Sequence, residues 1–122
     1  MKILIAEDDP VSVKILQVTL EHSDHEVLVS SSGEEAWEIF NNEPVRAIVS
    51  DWMMPGMDGL ELCQRVRARQ KTDYTYFILL TAINTSRDNL RQAMDAGVDD
   101  FLKGLEVGHL CLVRHLPSFA IS

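Results

Sequence analysis

The chain has 122 residues, enough for one ordinary domain to bury a core without a disulfide or metal staple. Hydrophobic residues make up 46% and charged residues 25%, a globular balance rather than a disordered one. A formal net charge of −8 argues against direct binding of nucleic acid or an anionic membrane, no apolar run is long enough to span a bilayer, and two cysteines are too few for a disulfide scaffold.

The first predicted element is a strand, KILIA, Lys2 to Ala6. Its apolar run stops at Glu7, too soon for a signal peptide. Asp9 before Pro10 is an N-cap and first-turn pair for a helix, along which Val11, Ile15 and Val18 trace helical spacing with Leu16 and Leu20 beside them. HEVLVSS (25–31) reads as a second strand. SGEEAWEIFNN (32–42) is a helix with Ala36, Trp37, Ile39 and Phe40 on its apolar side. VRAIVSD (45–51) is a third strand and GLELCQRVRARQ (59–70) a third helix. YFILLTA (76–82) is a fourth strand, and SRDNLRQAMDAG (86–97) a helix with Gly97 just past its end. VDDFLK (98–103) is a fifth strand, and LEVGHLCLVRHL (105–116) reads as a last helix stopped by Pro117. Cys63 and Cys111 fall in apolar patterns and read as small buried hydrophobes, which suits a reducing cytoplasm.

Strand and helix alternate five times with no linker or low-complexity tract, so residues 1–122 are expected to form one α/β domain with a parallel sheet covered by helices. ILIA, AIVS and FILL lack polar alternation, as strands buried on both faces should.

In open parallel sheets, ligands bind beyond the C-terminal ends of the strands. Glu7, Asp8 and Asp9 follow the first strand, Asp51 ends the third, Thr81 and Ala82 end the fourth, and Lys103 ends the fifth. Clustered carboxylates need a cation between them or must take up protons. Oxygen ligands with a water-facing side suit Mg²⁺. A metal-held carboxylate is also a nucleophile toward phosphorus, an ammonium and a hydroxyl would hold the phosphoryl oxygens, and a small Ala82 would leave room for the group to enter.

Four segments in order, ILIAEDDP, SDWMMPGMDG, LLTA and AGVDDFLK, resemble those of the receiver domain of bacterial two-component response regulators, over about residues 2 to 103. The resemblance implies a flavodoxin-like (βα)5 doubly wound fold with strand order 2-1-3-4-5. It implies that Asp51 is the phosphoacceptor. Asp8 would ligate Mg²⁺ directly, Glu7 through water, and Asp51 and the Met53 backbone carbonyl would complete the protein's share. Thr81 would be the switch hydroxyl and Lys103 the phosphoryl-binding ammonium. Asp9 would cap a helix. A histidine kinase or phosphotransfer protein would supply the phosphoryl group. The face made by the fourth helix, fifth strand and fifth helix would signal to a downstream protein or output domain. No chemistry beyond phosphorylation and dephosphorylation of Asp51 itself is expected.

Two other functions compete. A small phosphatase or phosphotransferase would need a second acid or base and a substrate cap, and the chain has no length to spare for one. A degenerate receiver would be a constitutive protein-interaction module. Two departures from the family pattern bear on that: Asp100 stands where the family has an aromatic, with Phe101 one place later, and Lys103 is followed by Gly104 rather than proline. Counted from Thr81, Lys103 has the family's separation; counted from AGVDDF, it comes one residue early. The segment 104–122 is atypical, since HLCLVRHLPSFAIS carries one formal charge, Arg114. It is either an apolar docking surface, for a partner or a homodimer, or a departure from the family's native sequence. Trp52 is expected to cover the loop, Met53, Met54 and Met57 to form a flexible apolar surface, and the four scattered histidines to do no chemistry.

Overall fold

Among the described residues, nine elements follow one another in strict alternation: β1 (Lys2–Ala6), α1 (Pro10–His22), β2 (Glu26–Ser30), α2 (Gly33–Asn42), β3 (Ala47–Asp51), α3 (Gly59–Ala68), β4 (Tyr76–Thr81), α4 (Arg87–Asp95) and β5 (Asp100–Lys103). They are seen in a computed structural model that describes residues 1–22, 24–69, 73–81 and 85–103. The five strands form one parallel sheet in the order β2-β1-β3-β4-β5, the predicted order. The expected last helix at 105–116, Cys111, Ala82 and the apolar segment 104–122 lie outside the described residues.

The central strands are buried on both faces, which is why β1, β3 and β4 read as unbroken aliphatic runs. Leu4, Ile48, Phe77 and Leu79 point to one face, against Phe40 of α2 and Leu62 and Val66 of α3. Ile3, Ile5, Val49 and Ile78 point to the other, where Leu16 and Leu20 of α1 join them. At roughly 1.5–3 kcal/mol per fully buried large aliphatic side chain, these two layers carry most of the favourable folding energy. Each helix start has a side-chain acceptor for its free amides. Asp9 accepts from Ser12 N–H, Ser32 from Glu35 N–H, Asp58 from Glu61 N–H and Ser86 from Asn89 N–H. At the end of α4, Gly97 sits at φ +106°, while Val98 N–H reaches the Ala93 carbonyl (3.2 Å) and Gly97 N–H that of Met94 (3.0 Å). That is the left-handed helix stop expected of Gly97.

The helical spacing along α1 leaves open which side meets the sheet. Val11, Ile15 and Val18 face outward at 67%, 45% and 52% exposure, and the buried stripe of α1 is Leu16 and Leu20. Both stripes have spacing compatible with a helix face, so periodicity alone could not choose which one meets the sheet. One expectation is overturned: of the three loop methionines only Met53 is exposed, at 75%, while Met54 and Met57 are core residues. Cys63 is buried, as expected, and Trp37 stacks on Phe40 with centroids 5.9 Å apart.

At the opposite end of the sheet from the acidic residues, Arg67 ties three segments together. It donates to the carbonyls of Gly97 (2.9 Å) and Thr75 (2.7 Å), pairs with Asp99 (2.7 Å) and lies over the Tyr74 ring. The ends of α3 and α4 and the start of β4 are thereby fixed, leaving the C-terminal strand ends as the chemically open edge. Among the described residues, no helix is long and apolar enough to cross a membrane.

Candidate functional site

Register brings the acidic residues together. Ala6 of β1 pairs with Ser50 of β3, so Glu7 and Asp51 emerge side by side where the two strands end. Carboxylate oxygens of Glu7, Asp8 and Asp51 all lie within 4.8 Å of one another. Glu7 is buried, Asp8 exposed and Asp51 half-buried, so the cluster opens to water on one side.

The surrounding backbone aims these groups. Glu7 N–H donates to the Ser30 carbonyl (3.1 Å), and the Ser30 hydroxyl donates to that of Ile5 (2.7 Å), so the end of β2 braces the end of β1. Asp9 N–H donates to Glu7 Oε1 (3.0 Å). The buried Ser50 hydroxyl donates to the Asp51 carbonyl (2.8 Å), and Gly59 N–H to the Trp52 carbonyl (2.8 Å).

Two of the acids are held away from their ordinary ionisation. Burial, with the Asp51 and Asp8 charges added, pushes the Glu7 carboxyl up to about 7, against the Asp9 N–H that favours its anion. Burial also raises Asp51, assisted by the Asp8 charge, while the Trp52 and Met53 amides favour its anion. Two full charges at the Glu7–Asp51 spacing would repel by roughly 3 kcal/mol at an effective dielectric of about 20. The set is an oxygen-only cage with too many negative charges and an open side, which is what a hard divalent cation neutralises. Asp9, by contrast, accepts from Ser12 Oγ (2.8 Å), is held below its usual range by that hydroxyl, and serves as a helix cap as expected.

Of the remaining predicted residues, Thr81 and Lys103 end the neighbouring strands β4 and β5 on the same edge of the sheet. Asp51 pairs with Leu80, so buried Thr81 stands one step further along the neighbouring strand, and Thr81 in turn pairs with Lys103 of β5. The sheet thus sets the Lys103 backbone opposite Thr81 at the end of β5. Met53 lies in the loop after β3, beside a groove of about 450 Å³ that runs from Asp51 past Leu80 to Asn89. Trp52 is half-buried against the core, as expected of a loop cover.

Gly59 is required for space. A Cβ there would sit 2.3 Å from the Asp51 carbonyl oxygen and 2.9 Å from Leu79 Cδ1. Backbone on one side and core on the other leave no room to yield, so Gly59→Ala is expected to cost roughly 2–3 kcal/mol. Urea denaturation measures this; a loss below about 0.5 kcal/mol would mean that the loop relaxes freely.

Sequence reading missed three contributors. Ser50 looks like an ordinary strand residue in AIVSD. Gly33 looks like a helix-start glycine, yet a Cβ on it would lie 2.2 Å from the Met57 carbonyl oxygen. Glu34 looks like any first-turn acid, yet it accepts a hydrogen bond from Met57 N–H at 2.5 Å.

Comparison with known proteins gives the same picture. The family model for the response regulator receiver domain matches residues 3–110. A chemotaxis protein CheY homolog of Campylobacter jejuni is 35% identical over 104 residues, covering 84% of this chain and 79% of its own. Among solved structures, the receiver domain of sensor histidine kinase PA1611 from Pseudomonas aeruginosa, with a magnesium ion coordinated in its active site cleft, matches at TM-score 0.86 and 26% identity, over 99% of this chain and 98% of that one. The BeF3-activated N-terminal receiver domain of Klebsiella pneumoniae RstA matches at TM-score 0.78 and 30% identity, over 93% and 94%.

Proposed function

Because the chain belongs to the response regulator receiver domain family, we propose that residues 1–122 act as one phosphorylation switch with Asp51 as the phosphoacceptor. The observation that carries this reading is the meeting of Glu7, Asp8 and Asp51 at adjacent strand ends, with Thr81 and Lys103 next in register.

A histidine kinase or phosphotransfer protein presents a phosphohistidine. A carboxylate oxygen of Asp51 attacks the phosphorus; the new O–P bond forms as the P–N bond breaks, and the imidazole leaves with the electron pair and takes a proton from water. Glu7, Asp8, Asp51 and the Met53 carbonyl are the groups that would hold Mg²⁺, and oxygen-only donors with an open side fit it. Bound there, Mg²⁺ would supply charge neutralisation to the carboxylates and the transferring oxygens. Thr81 contributes a hydroxyl and Lys103 an ammonium to those oxygens. The gain in such contacts favours one of two pre-existing states of the domain, and α4, β5 and the segment beyond transmit that change to a downstream protein or output domain in the cytoplasm. The domain turns over nothing but its own phosphoryl group.

The test is intact mass after incubation with Mg²⁺ and a small acyl phosphate. One added phosphoryl group is expected, and none when a chelator is present from the start. No gain under conditions that phosphorylate another receiver would overturn the reading and leave a constitutive interaction module in its place.

A further inference from the structure

We propose that Glu34, on the first turn of α2, is a positioning residue for the metal site: its carboxylate straps the loop after Asp51 into the shape that Mg²⁺ binding uses. This rests on the metal site described above and extends it to a residue in another helix.

The loop runs from Trp52 to Asp58 and carries Met53, whose carbonyl is a proposed ligand. Its far half is pressed against the start of α2. Glu34 Oε1 accepts the Met57 N–H at 2.5 Å, across 23 positions of sequence. Gly56, at φ +74°, lies so close to the same carboxylate that a Cβ would meet Oε1 at 2.4 Å. Gly33 lets the α2 backbone approach the Met57 carbonyl just as closely. Met54 and Met57 anchor the loop's underside in the core.

The helix does not need this contact. An acid in the first turn already interacts favourably with the helix dipole while fully solvated, and Ser32 already caps α2. Reaching for the Met57 amide costs Glu34 side-chain freedom and serves the loop instead. A charge-assisted bond to a backbone amide is among the stronger single ties available to an exposed segment. Met53 itself is exposed, so its side chain adds no core anchor, and its carbonyl is held through the bond of its own amide to Asp51 and through the loop's anchors. Releasing one of them lets the loop sample shapes in which that carbonyl turns away, and the ordering cost then falls on the metal.

Mg²⁺ titration by Trp52 fluorescence tests this in the full chain, comparing the parent with Glu34→Ala and Glu34→Gln at about 0.15 M salt, where longer-range charge effects are screened. Glutamine keeps an acceptor for the Met57 amide and removes the charge; alanine removes both. Glu34→Ala is expected to weaken Mg²⁺ binding at least about fivefold, a little under 1 kcal/mol, with Glu34→Gln within about twofold of the parent. Faster hydrogen exchange at 52–58 in Glu34→Ala alone, with the strands unchanged, should accompany the loss. If Glu34→Ala binds like the parent, the strap is irrelevant to the metal and the inference fails. If Glu34→Gln is as weak as Glu34→Ala, charge rather than the tie is responsible, and it fails equally. If the parent itself shows no Mg²⁺ response, the metal site is wrong and the inference falls with it.

Discussion

Asp51→Asn is expected to abolish phosphoryl uptake and, without metal near pH 8, to make the protein more stable. The first effect follows from chemistry: an amide oxygen is a poor nucleophile toward phosphorus, and no other strand-end carboxylate has the same position. The second follows from electrostatics. Burial and the Asp8 charge raise the pKa of Asp51, so its anion is less favourable folded than unfolded. Asparagine keeps an oxygen for the Trp52 and Met53 amides and removes the repulsion with Glu7, discounted here because the cluster opens to water. Intact mass after treatment with an acyl phosphate and urea denaturation in a chelator measure the two effects. A variant that still gains the phosphoryl group would move the acceptor elsewhere. One that loses metal-free stability would mean that the Asp51 anion makes a favourable contact outweighing its burial. The expected pair of results is characteristic of a functional acid, held at some cost because its charge is used.

How far such a site can be read from sequence depends on which physical signal each part carries. The sheet was legible because β1, β3 and β4 are buried on both faces, and a short aliphatic run without polar alternation, between turn residues, is what a doubly covered strand requires. The acid cluster was legible because parallel topology brings strand ends together, so Glu7, Asp8 and Asp51 could be placed before their spacing was known. The outward face of α1 was not, since Val11–Ile15–Val18 and Leu16–Leu20 both keep helical spacing and only the sheet distinguishes them. Met54 and Met57 were misread with Met53 because neighbouring loop residues can point to opposite sides of a turn, a matter of local dihedrals rather than of composition. Glu34 carried no signal at all: a glutamate in a first helical turn is expected on any helix, and its tie to Met57 exists only once α2 lies against the loop.

Mg²⁺ affinity should rise steeply with pH up to about neutrality and then level off, because metal and proton compete for Glu7. Burial, chiefly, lifts that carboxyl from its ordinary 4.5 to about 7 in the metal-free fold. Between those values the folded protein holds a proton that the unfolded chain has already released. The folded state thus binds more protons, and metal-free stability must fall as pH rises through this window, at most by about 1.4 kcal/mol per pH unit for one group. A cation at the cluster needs the anion, so below neutrality binding expels the proton and the dissociation constant should tighten up to about tenfold per pH unit. The carboxylates titrate together, so the midpoint belongs to the set and the slope is the sharper readout. Trp52 fluorescence titrations from about pH 5.5 to 8.5, repeated with Glu7→Gln, measure it. The variant has no proton to displace at that position. Its affinity should be weaker at high pH, its slope shallower below neutrality, and its metal-free stability no longer lost across the window. A parent dissociation constant that does not move with pH would show that Glu7 is already ionised in the fold. A Glu7→Gln slope as steep as the parent's would transfer the proton to Asp51, whose pKa is also raised, and make the proposed phosphoacceptor itself the group that senses pH.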